Sequence, residues 1–190
     1  VTSDTELARR LSSLRMHGET RPGLHDEIGI NSRLDALQAV ALSIKLRRLD
    51  EWTHARRRLA RRYDELFLDL GATTASTDPE RPLSEAGLPL AIPASVPAPG
   101  RHTYHQYVIR VPADRRNALA EALRTEGIAS AVFYERGLHQ QPPFSAHAPP
   151  EGLDATERAC RETLALPIFP ELGEDRVERV VSAVARFLLD

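Results

Sequence analysis

The chain has 190 residues, a length that suits one domain or one domain with an appendage. Its formal net charge of −2 leaves no surplus of positive charge with which a general nucleic-acid or membrane-surface binder attracts phosphates. The single cysteine excludes an internal disulfide and a multi-cysteine zinc site.

Other features of the sequence bear on its cellular context. No run of about 18 apolar residues is present, so the sequence predicts no membrane-spanning helix. One cysteine fits a reducing cytoplasm, which is the predicted location. The sequence opens at Val1 without an initiator methionine or a leader-like composition, so we expect it to be an excerpt from a longer chain.

The first 70 residues are predicted to be mainly helical. Ser3 and Glu6 form a capping-box pattern ahead of a helix over residues 4–15. After a loop that contains proline and glycine, Ser32 and Asp35 give a second helix-start signal. Two helices are therefore expected to begin within the first 35 residues.

The second of these helices is predicted to be long and bent. Apolar residues recur at helical spacing from Leu34 to Ile44, and a second series resumes at Trp52 in a different phase. A straight helix would keep one phase, so the change near Asp50 predicts two helices in succession. The whole segment 1–70 is expected to pack on a domain that lies outside this sequence.

Residues 71–190 are predicted to form a small α+β domain with a short sheet. Residues 71–100 are rich in proline and read as a connection with at most one short strand near 88–92. The alternation of Tyr107, Ile109 and Val111 predicts a strand over 104–111. The other predicted elements are a helix over 114–126 closed by Gly127, a strand over 128–134, a loop over 135–152, a helix over 154–164, a short apolar stretch over 164–169 and a helix over 174–189. This order suits a sheet covered on one face.

Four sequence blocks together carry a family resemblance. They are G-I-N-S-R-L-D at 29–35, H-Q-Y-V-I-R at 105–110, G-L-H-Q-Q at 137–141 and L-P-I-F-P-E-L at 166–172. In this order and spacing they resemble the DegT/DnrJ/StrS family, which are fold-type-I aminotransferases that use pyridoxal phosphate and act on nucleotide-linked keto-sugars. The resemblance implies an α/β parent protein of which this chain is the C-terminal half. It also implies a homodimer whose cofactor site is shared across the interface.

The resemblance assigns a cofactor role to Asn31, with Arg33 assisting. The matching asparagine reaches across the dimer interface to the phosphate of the partner subunit's cofactor. An amide beside a helix N-terminus is chemically suited to a phosphate oxygen, although a turn or capping role is the alternative. Arg33 could hold the same phosphate or a nucleotide diphosphate, or it could pair with Asp35 or Asp26.

A second group of candidates concerns the sugar substrate. In the family, the loop that carries Tyr134 and His139 closes over the active site, so both are candidate substrate contacts, and His25 is a third. For the two histidines, an ordinary loop role is the alternative. No metal site is predicted, because His102 and His105 would point to opposite faces of a strand and no H-E-x-x-H motif is present.

The resemblance places the Schiff-base lysine of the family just upstream of the position of Val1. Lys45 is the sole lysine of this chain and lies in a predicted helix beside Arg47 and Arg48. The family has a lysine at that position without the catalytic role, so Lys45 is expected to be a scaffold or surface residue. The chain by itself is therefore predicted to be inactive.

The expected activity of the parent is amino transfer, from glutamate, to a nucleotide-linked keto-deoxysugar. The N-S-R-L-D motif at 31–35 resembles the motif of relatives that aminate position 3 of the sugar. Relatives that aminate position 4 more often have N-Y-R. Leu24 and Ile30 stand where many relatives have tyrosines, which leaves the sugar unassigned. The alternative is a truncated or degenerate relative that dimerises or binds a nucleotide sugar without turnover.

Overall fold

The computed structural model describes residues 2–75, 83 and 87–190. The chain forms two compact units, the first ending at Leu49 and the second running from Asp50 to Asp190. This boundary lies earlier than the predicted division at residue 70. It does so because the helix that follows Leu49 buries Tyr63 and Phe67 in the core of the second unit.

The N-terminal unit begins with helix α1, Thr5–Leu14. The carboxylate of Asp4 caps this helix by accepting hydrogen bonds from the backbone N–H groups of Glu6 (2.9 Å) and Leu7 (3.0 Å). The predicted helix is therefore present, but Asp4 takes the capping position that the sequence pattern gave to Ser3. Both side chains suit an N-cap, and the backbone geometry decides between them.

A small hairpin follows α1, formed by strands β1, Glu19–Arg21, and β2, Leu24–His25, which pair antiparallel. The sequence predicts only a loop here, because strands of three and two largely exposed residues leave no period-two pattern. Helix α2 spans Ala36–Leu46. Its cap is Asp35, whose carboxylate accepts hydrogen bonds from the backbone N–H groups of Leu37 (2.8 Å) and Gln38 (3.2 Å). The helix thus begins after Asp35 and not at Ser32.

The predicted break near residue 50 is confirmed. Helix α2 ends at Leu46, and helix α3 spans Leu49–Asp69. No residue of α2 is buried, whereas α3 buries a stripe that includes Leu59, Tyr63 and Phe67. Within the described chain, α3 therefore has a buried face and α2 has none.

The C-terminal unit is built on a four-stranded sheet in the order β3-β4-β5-β6. The strands are β3, Thr73–Thr74, β4, Ala91–Ile92, β5, Tyr107–Arg110, and β6, Thr163–Leu166. The β3–β4 pair is parallel and the other two pairs are antiparallel. Three further helices complete the unit: α4, Ala113–Thr125, α5, Asp154–Glu162, and α6, Glu174–Leu189.

Most of the predicted C-terminal elements are confirmed. The predicted helix over 114–126 is α4, and it is followed by Gly127 at a left-handed φ of +71°. The predicted terminal helix is α6. The short strand expected near 88–92 is β4, reduced to two residues. The predicted connection over 71–100 lies partly outside the described residues, since 76–82 and 84–86 are not among them.

The predicted strand over 128–134 is wrong. Only Ala131 pairs, through two hydrogen bonds with Ala165 of β6 (3.1 and 2.8 Å). Beyond it, Phe133 and Tyr134 are exposed and line a cavity instead of continuing the sheet. The apolar composition of this segment suits a strand, but the edge of β6 offers pairing at one position only.

The core of the C-terminal unit is formed by α3, α4, α6 and one face of the sheet. In the β5–β6 register, Tyr107 is opposite Leu166 and Ile109 is opposite Leu164, and all four are buried. The ring of Tyr63 stacks on Tyr107 with centroids 4.6 Å apart. The intervening β5 residues are only half-buried, as expected for a sheet covered on one face. Within the described residues, no helix is long and apolar enough to cross a membrane.

Candidate functional site

Asn31 and Arg33 lie at the surface of the N-terminal unit, in the segment between the hairpin and α2. Asn31 forms an antiparallel bridge with Met16, which lies just after α1. The side-chain oxygen of Asn31 accepts a hydrogen bond from Nε of Arg33 (3.2 Å). The amide nitrogen of Asn31 and the terminal nitrogens of Arg33 make no hydrogen bond within the described part of the chain. These donors are therefore available to an anion.

The structure decides against the two acidic partners considered for Arg33. Asp35 uses its carboxylate to cap α2, and Asp26 accepts a hydrogen bond from the hydroxyl of Thr20. Among the described residues, neither forms an ion pair with Arg33. Arg33 instead orients the Asn31 amide oxygen, which leaves the amide N–H₂ group facing away from that contact.

His25 lies close to the same segment. Its Nδ1 is 3.1 Å from the carbonyl oxygen of His17, and it donates to that oxygen when Nδ1 carries the proton. His17 in turn donates its backbone N–H to the carbonyl of Ile30 (3.1 Å). His25 and Asn31 are thus joined to residues that are adjacent in sequence, His17 and Met16.

Close backbone packing fixes the hairpin and the segment that leads from it to Asn31. A Cβ atom on Gly29 would lie 2.3 Å from the backbone nitrogen of Gly18, and one on Gly18 would lie 1.7 Å from the carbonyl oxygen of Glu27. Gly18 also has a left-handed φ of +77°. Both positions require glycine for space, and Gly18 requires it for conformation as well.

Tyr134 and His139 belong to the C-terminal unit and differ in exposure. Tyr134 is 74% exposed and lines two cavities of about 420 and 570 Å³. The His139 side chain is only 9% exposed, and its Nε2 lies 3.1 Å from Oε1 of Glu157 on α5. Tyr134 is therefore placed where it can meet a ligand. The His139 ring is held inward by this contact with Glu157.

Glu157 was not singled out from the sequence. The hydrogen bond from His139 holds the pKa of the Glu157 carboxyl below its ordinary value, and burial opposes this effect. His139 lies in a short 3₁₀ helix, Leu138–Gln140, so the contact ties the loop after Tyr134 to α5. A histidine and a glutamate eighteen residues apart give no sequence signal of a contact, because it depends on how the loop folds back.

Lys45 lies in the last turn of α2 and is exposed. Within the residues that the structure describes, no cluster of three or more histidine, cysteine, aspartate or glutamate side chains is arranged to hold a metal ion. Two candidate sites therefore result. The N-terminal unit has the anion donors Asn31 and Arg33, and the C-terminal unit has the two cavities beside Tyr134.

Comparison with known proteins identifies the family. The model of the DegT/DnrJ/EryC1/StrS aminotransferase family matches residues 1–185. The chain is 38% identical over 189 residues to the "pleiotropic regulatory protein" of Geobacillus stearothermophilus, covering 98% of this chain and 46% of that protein. It is 37% identical over 188 residues to the UDP-N-acetyl-3-dehydro-α-D-glucosamine 3-aminotransferase of Acidithiobacillus ferrooxidans, covering 99% of this chain and 45% of that enzyme.

Solved structures agree with this result. The crystal structure of Streptomyces venezuelae DesV in complex with a ketimine intermediate matches with a TM-score of 0.82 and 32% identity, over 100% of this chain and 46% of that one. A DegT/DnrJ/EryC1/StrS aminotransferase from Brucella abortus matches with a TM-score of 0.79 and 31% identity, over 100% and 45%. The chain spans less than half the length of the relatives it matches, and it belongs to the DegT/DnrJ/EryC1/StrS aminotransferase family.

Proposed function

We propose that this chain is the C-terminal half of a pyridoxal-phosphate-dependent aminotransferase, which transfers an amino group from glutamate to position 3 of a nucleotide-linked keto-deoxysugar. The observation that carries the proposal is the family match over residues 1–185, nearly the whole chain. The cytoplasmic location expected from the sequence is part of the same proposal.

The residues present fit the phosphate of the proposed cofactor. Asn31 and Arg33 offer amide and guanidinium N–H groups that are exposed and not used elsewhere in the described chain. Charge-assisted hydrogen bonds from such donors are the usual way in which proteins hold a phosphate. We assign these two residues to the cofactor of the partner subunit in a homodimer. Pyridoxal phosphate, when bound, supplies the electron sink for amino transfer.

The substrate side of the proposal rests on three residues. Tyr134 is exposed beside two cavities, and His25 lies in strand β2 of the exposed hairpin. His139 lies in the same loop as Tyr134, where its ring contacts Glu157. We propose that Tyr134, His139 and His25 contact the nucleotide sugar.

The names of several relatives support position 3 of the sugar. They include the 3-aminotransferase of A. ferrooxidans and, at 36% identity, the dTDP-3-amino-3,4,6-trideoxy-α-D-glucose transaminase of S. venezuelae. A third is the dTDP-3-amino-3,6-dideoxy-α-D-galactopyranose transaminase of Aneurinibacillus thermoaerophilus, at 33% identity. The position in these names agrees with the one that the N-S-R-L-D motif at 31–35 favours.

The test is an assay of the full-length gene product with pyridoxal phosphate and glutamate. A nucleotide-linked 3-keto-6-deoxysugar and its 4-keto isomer serve as the two substrates, and NMR of the product locates the new amine. We expect amination of the 3-keto sugar that depends on glutamate. Amination of the 4-keto isomer alone would overturn the ring position, and no amination of either would overturn the enzymatic proposal.

A non-catalytic role is the second candidate, and one observation favours it. The G. stearothermophilus relative, at 38% identity, carries the name of a regulatory protein. On this alternative the gene product would dimerise or bind a nucleotide sugar without turnover. Nucleotide-sugar binding without amination in the same assay would support it.

Lys45 gives a separate test of the 190-residue chain by itself. We propose that the reactive lysine lies in the other half of the parent, so this chain should not be labelled specifically by pyridoxal phosphate and borohydride. Peptide mapping is the measurement, with a Lys45→Gln variant as the control. Stoichiometric labelling that disappears in the variant would contradict the proposal, whereas weak labelling at the α-amine is expected in both proteins.

A further inference from the structure

A cavity of about 360 Å³ lies beside the N-terminal half of α6. It is enclosed by the segments 127–129 and 167–172 and by the face of α6 that carries Arg176, Arg179 and Val180, and we call it the α6 cavity. Its volume lies within the range of roughly 300–1,000 Å³ that is usual for small-molecule sites. The residues that line it all lie in the C-terminal unit, and none of them is assigned to the cofactor or the sugar in the proposed function.

The floor of the α6 cavity is apolar and fixed. Ile128, Leu172 and Val180 line it, and each of these residues is at most 5% exposed and belongs to the core of the unit. Because core packing holds these side chains, the cavity is formed before a ligand arrives. Phe169 adds an aromatic side chain to the lining and is 41% exposed. The carbonyl oxygen of Phe169 accepts a hydrogen bond from the backbone N–H of Leu172 (3.1 Å), which fixes the turn before α6.

The charged residues among the described lining of this cavity are both arginines. Arg179 donates a hydrogen bond to the backbone carbonyl of Glu126, the residue that ends α4. Arg176 is exposed and makes no ion pair or hydrogen bond within the part of the chain that the structure describes. Glu171 and Asp175 are close to Arg176 in sequence, but neither is among the lining residues. The charge of the cavity is therefore complementary to an anion with an apolar body.

The sequence of α6 explains why Arg176 has no internal partner. Side chains three and four residues apart are neighbours on a helix, and these positions around Arg176 carry no acid. Glu174 and Glu178 of the same helix instead pair with Arg58 and Arg62 of α3. The partial positive charge of the helix N-terminus also disfavours an arginine in the first turn of α6. Arg176 is thus placed at the cavity without a stabilising contact within the described chain, and its guanidinium is free for an external anion.

We propose that the α6 cavity binds a small organic carboxylate that has an apolar body of one or two rings. The planar guanidinium of Arg176 donates two parallel hydrogen bonds to the carboxylate, and a free N–H group of Arg179 assists. The apolar body packs against Phe169 and the floor of the cavity. This binding site is additional to the residues assigned to the cofactor and the sugar, and it does not depend on the proposed function.

The test titrates the 190-residue chain with three probes. They are 2-naphthoate, its uncharged analogue 2-naphthamide, and acetate, which has the charge without the rings. ¹H–¹⁵N NMR follows the backbone amides of Ile128 and Leu172. We expect 2-naphthoate to shift both amides with a dissociation constant of about 1 mM or below, as for a ligand of its size. The other two probes should bind at least about 10-fold more weakly, and binding of either as tightly as 2-naphthoate would overturn the proposal.

Variants of single residues locate the site. Loss of the charge-assisted contact predicts that Arg176→Gln lowers the affinity for 2-naphthoate roughly 10- to 150-fold. Arg61→Gln is the matched control, because Arg61 is exposed on α3 and does not line the cavity, and it should leave the affinity unchanged. Ala129→Trp places a large side chain at an exposed lining position and should abolish binding without lowering the unfolding midpoint. Full affinity in Arg176→Gln or in a folded Ala129→Trp variant, or an equal loss in Arg61→Gln, would show that the carboxylate binds elsewhere.

The same titration is made with the full-length gene product, without amino donor or sugar. We expect its affinity for 2-naphthoate and the effect of Arg176→Gln to match those of the 190-residue chain. Binding by the 190-residue chain alone would show that the rest of the parent covers the α6 cavity, and it would overturn the proposal for the whole protein. Because this assay needs no amination, its failure leaves the proposed function in place, and failure of amination leaves the α6 cavity in place.

Discussion

Asn31 is the residue on which the cofactor proposal most depends. If its amide donates to a phosphate oxygen, Asn31→Ala in the full-length parent removes a hydrogen bond to a charged group. Such a bond contributes about 1.5–3 kcal/mol, so we expect the dissociation constant of the cofactor to rise roughly 10- to 150-fold. The fold should survive, because Asp35 and not Asn31 caps α2.

Asp35→Ala is the matched control for this variant. Removal of the cap should lower the free energy of unfolding by about 0.5–2 kcal/mol and leave cofactor affinity unchanged. Cofactor dissociation and the unfolding midpoint of the apoprotein are measured for both variants. If Asn31→Ala instead behaved like the Asp35 variant, Asn31 would be a structural turn residue and the cofactor assignment would be wrong.

At the scale of elements, the contact between α3 and β5 depends on two buried tyrosines with different partners. The hydroxyl of Tyr107 donates to the Asp64 carboxylate (2.7 Å), and that of Tyr63 donates to the carbonyl of Pro167 (3.0 Å). A bond to a charged group is the stronger. We therefore expect Tyr107→Phe to lower the free energy of unfolding by about 1.5–3 kcal/mol at pH 7, and Tyr63→Phe by about 0.5–1.5 kcal/mol.

The difference between these two variants should depend on pH. Burial raises the pKa of Asp64 above its ordinary value near 3.8, and the hydrogen bond from Tyr107 opposes that rise. As the pH falls through the raised pKa of Asp64, the carboxylate becomes neutral and the extra cost of Tyr107→Phe should fade. Urea unfolding of both variants between pH 3 and pH 7 measures this. An extra cost that stayed constant over the range would rule out the charged bond.

The contact of the loop after Tyr134 with α5 makes a separate prediction. The hydrogen bond from His139 lowers the pKa of Glu157 below its ordinary value of 4.5. A carboxyl with a lowered folded-state pKa stabilises the fold above its unfolded pKa, and this contribution is lost as the pH falls through the lowered value. Glu157→Gln should therefore be less stable than the unmodified chain at pH 6 and should approach it in stability at pH 3.

Glu151→Gln is the control for Glu157, because Glu151 is exposed on the same loop and has no recorded partner among the described residues. Its unfolding free energy should follow that of the unmodified chain at every pH. If the two glutamine variants had the same pH profile, the His139–Glu157 contact would contribute nothing to the fold.

At the scale of the whole molecule, the feature that needs explanation is the exposed apolar surface of α2. None of its residues is buried, and Leu37 is 82% exposed. Further exposed apolar residues of the same unit include Ile28, Ile30, Leu34, Val40, Leu42, Ile44 and Leu46. Apolar side chains exposed in such number favour association in water. We propose that in the parent this surface is covered by the other half of the protein or by the partner subunit.

The 190-residue chain alone should therefore sediment as a dimer or a larger species. Leu37→Glu together with Val40→Glu should increase the monomer fraction, because charges on α2 oppose its burial. Leu189→Glu, at an exposed position of α6, is the control and should have little effect. A well-folded monomer of the unmodified chain would show that α2 needs no partner.

The sequence by itself determined the local elements and the family. Helices α1, α4 and α6, the break between α2 and α3, and the left-handed stop at Gly127 follow from spacing, caps and glycine, which act within a few residues. The four motif blocks led to the family that the comparison shows. Asn31, Arg33 and Tyr134 were named from the family resemblance, and the structure places all three at the surface.

Only the tertiary structure decided the features that depend on contacts between distant segments. The segment over 128–134 has a strand's composition, yet β6 pairs with it at Ala131 alone. The ring of His139 contacts Glu157, which lies eighteen residues further along the chain. The cavity of about 570 Å³ that Tyr134 lines is formed where the loop meets α5. Local propensity acts between neighbours in sequence, whereas edge pairing, ring orientation and cavity walls depend on which surfaces meet after folding.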